Sequence, residues 1–266
     1  MPINPLTDAQ VAQFHEDGYL MIPGMFPAEE MDLLLKIARA DRTLANAGGM
    51  EDAAGGKSKI WLTTKPEDDI YSAISFSHRL ADPLSQLMND RVMFYHHKMM
   101  LKEPRVGGAW EWHQDYGYWY GDGFLFPDMI SCMIPVDRAS KANGCLQVLK
   151  GSHKLGRIGH GRVGGQTGAD PERLPPALER LELVYCEMEP GTGLIFHANL
   201  LHRSDQNKSE HSRWSLICCY TTEHNPSVHA SEREFVNCKR VEPRDDGDIM
   251  TVGQRQWERM EQATEG

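Results

Sequence analysis

Trp112-His113-Gln114-Asp115, together with His202 much later in the chain, offers two imidazoles and a carboxylate at spacings that suit a metal ion. On a β-strand the side chains at i and i+2 share a face, so His113 and Asp115 are predicted to point to one side. His202, from a later strand, completes two histidines and one carboxylate on one face of the ion and leaves the opposite positions open. That donor set suits non-haem Fe(II) oxygenases. A His-x-Asp by itself decides little in a chain with 12 histidines, since a lone histidine is more often a hydrogen-bonded structural residue. Its surroundings sharpen the reading: Trp110, Trp112, Tyr116, Tyr118, Trp119 and Tyr120 crowd the motif, as in a pocket wall or at the edge of a packed core. Ser204 falls on the side of His202 if the chain is extended there. Arg213, at the start of the apolar run Trp214–Tyr220, has the fork geometry to bind a carboxylate; a surface ion pair is the plainer alternative.

The elements that must position these residues change character near Asp90. Before it, Thr7-Asp8-Ala9-Gln10 is a capping box opening a helix that Gly18 ends, and Tyr19 to Ile22 is a short strand. Pro27-Ala28-Glu29-Glu30 suits a helical first turn, with Met31, Leu34, Leu35 and Ala38 at helical spacing. Asp82-Pro83 is predicted to start another helix carrying Leu84, Leu87 and Met88. Beyond Asp90, residues 92–101, 129–136, 145–149, 183–188, 193–196 and 214–220 are apolar, β-rich segments separated by turn signals such as Asn143-Gly144 and Pro190-Gly191. Helices followed by many short strands predict a mainly β fold with flanking helices, a jelly-roll or double-stranded β-helix core of the cupin-like kind. A single domain over residues 1–266 is expected, with N-terminal helices about 7–90, a core about 91–222 and a polar tail about 223–266 wrapping the surface. Two glycine-rich stretches, 41–58 and 156–181, are expected to be flexible, the second closing with a short helix over 171–181 and acting as a lid. Arg157, His160 and Arg162 in that lid, with Arg105, either attract an anionic substrate group or are scattered solvated charges.

Composition is that of an ordinary globular protein, 40% hydrophobic and 25% charged with a mean hydropathy of −0.51. A net charge of −10 and a pI near 5.6 argue against nucleic acid as partner, though not against a small anion met by a local cluster of arginine and lysine. No apolar run approaches a membrane span and no signal peptide is visible at the N-terminus, so a cytoplasmic enzyme is the expectation. The six cysteines form no CxxC pair and are read as buried, reduced thiols.

Taken in order, Phe14-His15-Glu16-Asp17-Gly18-Tyr19-Leu20, Trp112-His113-Gln114-Asp115, Asn143-Gly144-Cys145-Leu146, Gly151-Ser152-His153 and His202-x-Ser204-x-x-Asn207-x-Ser209-x-x-x-Arg213 resemble the phytanoyl-CoA dioxygenase (PhyH) family of Fe(II)- and 2-oxoglutarate-dependent oxygenases. The likeness covers roughly residues 7–220. It implies that His113, Asp115 and His202 bind Fe(II), that Arg213 pairs with the distal carboxylate of 2-oxoglutarate supported by Ser204, and that Lys59 lies near this cosubstrate. It further implies hydroxylation of a C–H bond with O2 as the second cosubstrate and release of succinate and CO2. Halogenating relatives lack the carboxylate ligand, so Asp115 favours hydroxylation. The run from Trp112 to Gly123 looks most like the ectoine hydroxylase type, which makes Trp119 and Tyr118 candidate substrate contacts along with Arg157 and Arg162 of the lid. Gly117 and Tyr120 replace a polar residue and a histidine of that signature, and the region upstream reads His96-His97-Lys98. The expected substrate is a small polar or zwitterionic metabolite. Three alternatives stay open: a longer acyl or lipid-like substrate, a non-catalytic 2-oxoglutarate-binding member, and a cupin-like enzyme using another metal.

Overall fold

The computed structural model describes residues 5–265. Helix α1 (Asp8–Asp17) is capped as its sequence predicts: the Gln10 N–H donates to the Thr7 hydroxyl, the Thr7 N–H donates to the Gln10 side chain, and Gly18 ends the helix at a left-handed φ of 81°. The chain continues through β1 (Tyr19–Ile22), α2 (Ala28–Ala40), α3 (Arg42–Ala45), β2 (Gly48–Glu51), β3 (Lys57–Thr63), α4 (Ile70–Ser75) and α5 (His78–Met88). Two expectations fail here. The segment 41–58 is not slack but forms α3 and most of a β2–β3 hairpin, its turn made by Gly55 at φ 83°. Helix α5 begins at His78, leaving Pro83 inside it. An interior proline costs about 3 kcal/mol. Leu80, Leu84 and Leu87, each at most 1% exposed, offset that cost at about 1.5–3 kcal/mol apiece.

There follow β4 (Val92–Lys102), β5 (Trp110–His113), α6 (Asp115–Trp119), β6 (Met129–Pro135), β7 (Leu146–Leu149), β8 (His160–Val163), β9 (Gln166–Ala169), α7 (Leu174–Arg180), β10 (Leu183–Cys186), β11 (Gly193–His197), β12 (His202–Ser204), β13 (Arg213–Thr222), β14 (Lys239–Arg240) and α8 (Asp248–Glu265). All six apolar segments read as strands are strands. The tail is more ordered than its polarity suggests, since β14 pairs with β4 and α8 packs on α2 and α4.

Two antiparallel sheets make up the jelly-roll core, mainly β with helices against one side. The larger runs β1-β11-β6-β13-β4-β3-β2, with β14 also on β4, and the smaller runs β10-β7-β12-β5. Strands β1, β2, β3 and β14 lie outside residues 91–222, so the core draws on both ends of the chain. Alternation sorts the side chains of the large sheet. Leu216, Cys218 and Tyr220 of β13, with Ile130, Cys132 and Ile134 of β6, share one buried cluster with Phe14, Leu34, Ile74 and Leu84 of the helices. The residues between them, Ile217, Cys219 and Met133, join Leu146, Val148 and Cys186 of the small sheet in a second cluster. Polar groups on this inner face therefore project between the sheets. All six cysteines are free thiols and five are buried, as expected of small apolar side chains.

Candidate active site

His113 is the last residue of β5, Gln114 is extended (φ −112°, ψ 135°), and Asp115 is the first residue of α6. The two ligand candidates thus converge by a different route from the strand alternation predicted: the chain turns from strand into helix between them. The Tyr116 N–H donates to the Ala198 carbonyl and anchors that turn. His202 sits directly opposite His113 in the β12–β5 pairing, their rings 4.1 Å apart. His113 Nε2 and His202 Nε2 lie 4.0 and 3.9 Å from Asp115 Oδ1. This is the only group of three such ligand side chains close enough to share a metal ion among the described residues.

The donor chemistry fits a metal. His113 Nδ1 lies 2.7 Å from the Glu111 carbonyl and His202 Nδ1 lies 2.9 Å from the Leu200 carbonyl. A carbonyl only accepts, so each Nδ1 carries the proton and each Nε2 presents a lone pair. Burial pushes both imidazoles below their ordinary pKa and keeps them neutral, the form that ligates. Asp115 Oδ2 accepts from the Ser131 hydroxyl at 3.0 Å, which leaves Oδ1 for the ion. Gln114, between the ligands, donates to the Gly156 and Asn199 carbonyls and accepts from the Ile158 N–H. One amide thereby ties the metal-bearing turn to the segments on both sides of it.

The three residues open onto a cavity of about 530 Å³ that Trp119, Tyr118, Ser204 and Arg213 also line. Arg213 is 1% exposed, and among the described residues its Nε and Nη1 have no hydrogen-bond partner. Burial lowers its pKa to about 10, which leaves it charged at neutral pH. Lys102 of β4 stands directly across the strand pair from Arg213, fully buried, and donates to the Ser204 hydroxyl at 2.8 Å and to the Asp205 carbonyl. Burial and then the charge of Arg213 drive the Lys102 pKa well down. A guanidinium with unanswered donors in a dry site calls for an anion such as a carboxylate.

Sequence reasoning missed Lys102, and it noted His96 and Lys98 only as part of a run that departs from the related signature. Their signal was the period of two along β4, where His96, Lys98 and Met100 line the cavity and Lys102, bonded to Ser204, follows on the same face. Lys59 is not brought to the cavity. Its strand neighbours Ile60 and Leu62 line it, so by alternation Lys59 points away, and its Nζ donates to the Ala45 carbonyl at 2.8 Å. Nor do Arg157, Arg162 or Arg105 line it: Arg157 lies over the Tyr120 ring at 4.1 Å, Arg162 is exposed, and Arg105 pairs with Glu210. The segment 156–181 contains the β8–β9 hairpin, turned by Gly164 and Gly165, and the short helix α7. The hairpin is fastened beside the site by the Tyr118 hydroxyl, which donates to the Thr167 carbonyl at 2.6 Å.

A double-stranded β-helix with two histidines and one carboxylate at its mouth defines a class of metal-dependent oxygenase folds. The model of the phytanoyl-CoA dioxygenase family matches residues 14–215. The chain belongs to that family and is a 2-oxoglutarate-dependent dioxygenase that uses Fe(II) and O2. Its relatives include an L-proline trans-4-hydroxylase of Streptomyces griseoviridis, 25% identical over 249 residues that cover 87% of this chain and 92% of the relative. An ectoine dioxygenase of Sphingopyxis alaskensis is 24% identical over 261 residues, 90% of this chain and 85% of the relative. Among solved structures, EctD from S. alaskensis with bound Fe superposes with a TM-score of 0.74 at 22% identity, covering 92% of this chain and 90% of that one. The epimerase SnoN, solved with Fe3+, alpha ketoglutarate and nogalamycin RO, gives 0.71 at 18% identity, covering 86% and 88%.

Proposed function

We propose that the chain hydroxylates a C–H bond of a small polar or zwitterionic metabolite, coupled to conversion of 2-oxoglutarate to succinate and CO2. One observation carries the reading: His113, Asp115, His202 and the unanswered Arg213 guanidinium share one cavity. His113, Asp115 and His202 would hold the Fe(II), which when bound supplies the oxidising chemistry. The remaining work belongs to the chain. Arg213 and Ser204 grip the distal carboxylate of 2-oxoglutarate and so fix its reach toward the metal ligands, while Lys102 holds the Ser204 hydroxyl in place. The Glu111 and Leu200 carbonyls hold each imidazole in one tautomer and one orientation. Met100, Met133, Leu146, Phe196 and Ile217 line the cavity between these groups and exclude water. Trp119 and Tyr118 supply the wall against which the substrate rests.

A cavity of about 530 Å³ shared with 2-oxoglutarate favours a compact substrate over a long acyl chain. The proline and ectoine enzymes among the relatives are named for small zwitterions. The test has two arms. Anaerobic addition of Fe(II) and 2-oxoglutarate is expected to produce a visible charge-transfer band, and a metabolite screen is expected to find compounds that stimulate succinate release. Both signals are expected to fall to background in His113→Ala and Asp115→Ala. Turnover that survives either substitution would overturn the assignment of the site.

A further inference from the structure

We infer that the substrate is an amino-acid-like zwitterion whose carboxylate is bound by Lys98 and whose cationic group is bound by Asp122. The inference rests on the oxygenase reading above and adds the chemical class of its substrate.

Lys98 lies on the inner face of β4, between His96 and Met100, and lines the cavity. Its cross-strand partners are Leu62 on one side and Ile217 on the other, both apolar. Among the described residues it makes no hydrogen bond and no ion pair, although it is only partly exposed. The cavity it lines is the one that His96, His113 and His202 share. 2-Oxoglutarate does not account for it. Arg213 and Ser204, the latter held by Lys102, meet the distal carboxylate further along the strand, with Lys98 and Lys102 roughly 14 Å apart at the 3.4 Å rise of a strand. The other carboxylate of 2-oxoglutarate would lie toward His113, Asp115 and His202, where the charge of a bound ion would answer it. Lys98 is therefore a cation at the site with no anion assigned to it. Closing the cavity over a neutral substrate would strip water from that ammonium and return nothing.

A complementary group stands in the same cavity. Asp122 lines it, and its Oδ2 accepts from the Tyr95 hydroxyl at 2.8 Å, while Oδ1 has no hydrogen bond among the described residues. Arg233 and His229 lie within electrostatic reach of this carboxylate, but neither forms an ion pair with it. A register shift in the β4–β13 pairing skips Tyr95, so Tyr95 and His96, consecutive in sequence, both line the cavity. Trp119 packs edge-on against both rings, at 5.8 and 6.0 Å. A cation beside Asp122 would sit among aromatic rings, an environment that favours it.

The full-length protein, loaded anaerobically with Fe(II) and 2-oxoglutarate, is titrated with the protein amino acids, each beside its carboxamide and its N-acetyl derivative. Tryptophan fluorescence reads binding, and succinate release after admission of O2 reads turnover. At least one free amino acid is expected to bind and to stimulate succinate, with its carboxamide at least about tenfold weaker. Lys98→Met is expected to erase that preference while changing 2-oxoglutarate binding by less than about twofold, and Lys98→Arg to keep it. Asp122→Asn is expected to erase the preference over the N-acetyl form. Equal binding of acid and carboxamide overturns the proposal. So does a Lys98→Met variant whose loss falls on 2-oxoglutarate, which would assign Lys98 to the cosubstrate. If no amino acid binds while the charge-transfer band is intact, the zwitterion fails and the oxygenase reading stands. Absence of the band removes the oxygenase reading, and this inference with it.

Discussion

A single hydroxyl settles which oxygen of Asp115 faces the metal position. Ser131 donates to Oδ2 at 3.0 Å from β6 of the large sheet, and Oδ1 is left 3.9–4.0 Å from both Nε2 atoms. Ser131 is fully buried and small, so Ser131→Ala leaves little void. Its effect falls on the carboxylate, which is freed to rotate. Removing a hydrogen bond that orients a metal ligand typically costs about 10–100-fold in metal affinity. Fe(II) titration of the charge-transfer band is expected to show a loss in that range, with the circular dichroism spectrum unchanged; an unaltered affinity would mean that the helix α6 backbone alone holds the carboxylate. At this scale the grouping of His113, Asp115 and His202 was legible in the sequence because two imidazoles and a carboxylate recur there at strand spacings beside a dense aromatic run. Ser131 was not legible, since a serine inside the apolar run from Met129 to Val136 carries no sign of what it bonds.

Among the elements, α6 and the β8–β9 hairpin meet at a position with no room for a side chain. A Cβ added at Gly117 would lie 2.2–2.3 Å from the imidazole of His160. That ring cannot swing aside freely. Its Nε2 accepts from the Gln114 N–H at 2.9 Å, and its Nδ1 is 2.9 Å from the Ile158 carbonyl. Gly117→Ala would gain roughly 1 kcal/mol of helix propensity. Overpacking against a doubly held ring costs about 1–3 kcal/mol, so the clash wins. Thermal unfolding is expected to show a lowered midpoint, and hydrogen exchange is expected to rise at Gln114 and through residues 158–163. A stabilised variant would show that the hairpin yields without consequence. The same contact explains a feature that looked like a mere departure from the related signature, where a polar residue occupies this position. Strand periodicity made the six core strands legible, and the pattern of i and i+2 along β4 would have found Lys98 and Lys102 had it been followed. Other elements were hidden for physical reasons. The β2–β3 hairpin is built on Gly48, Gly49, Gly55 and Gly56, which read as flexibility until pairing with Ile60 and Lys59 orders the first two. Lys59 itself was misplaced because a resemblance gives a position in the chain but not the side of a strand.

For the molecule as a whole, the opposition is between an acidic exterior and a basic interior site. The net charge is −10, yet Arg213 and Lys102 are buried side by side and Lys98 points into the same space. Screening confines the surface charges to short range, whereas cations held in a low-dielectric cavity act on a bound anion almost unscreened. Anion binding is therefore local, and the fold without ligand carries the cost of the buried guanidinium. Binding to the folded state alone stabilises by about 2.7 kcal/mol when ligand stands at 100 times its dissociation constant. At about 2–4 °C per kcal/mol for a chain of this size, 2-oxoglutarate with Fe(II) is expected to raise the unfolding midpoint by about 5–10 °C. Arg213→Met is expected to lose most of that rise, because the two-pronged grip on the distal carboxylate is gone. The same substitution removes an unpaired buried charge and fills its place with apolar atoms of similar length, a change that is often neutral or stabilising. Without ligand, the variant is therefore expected to melt at or above the wild-type temperature. A variant that melted well below it, yet kept the ligand-induced shift, would show Arg213 to be a structural residue and would move the anion site elsewhere in the cavity.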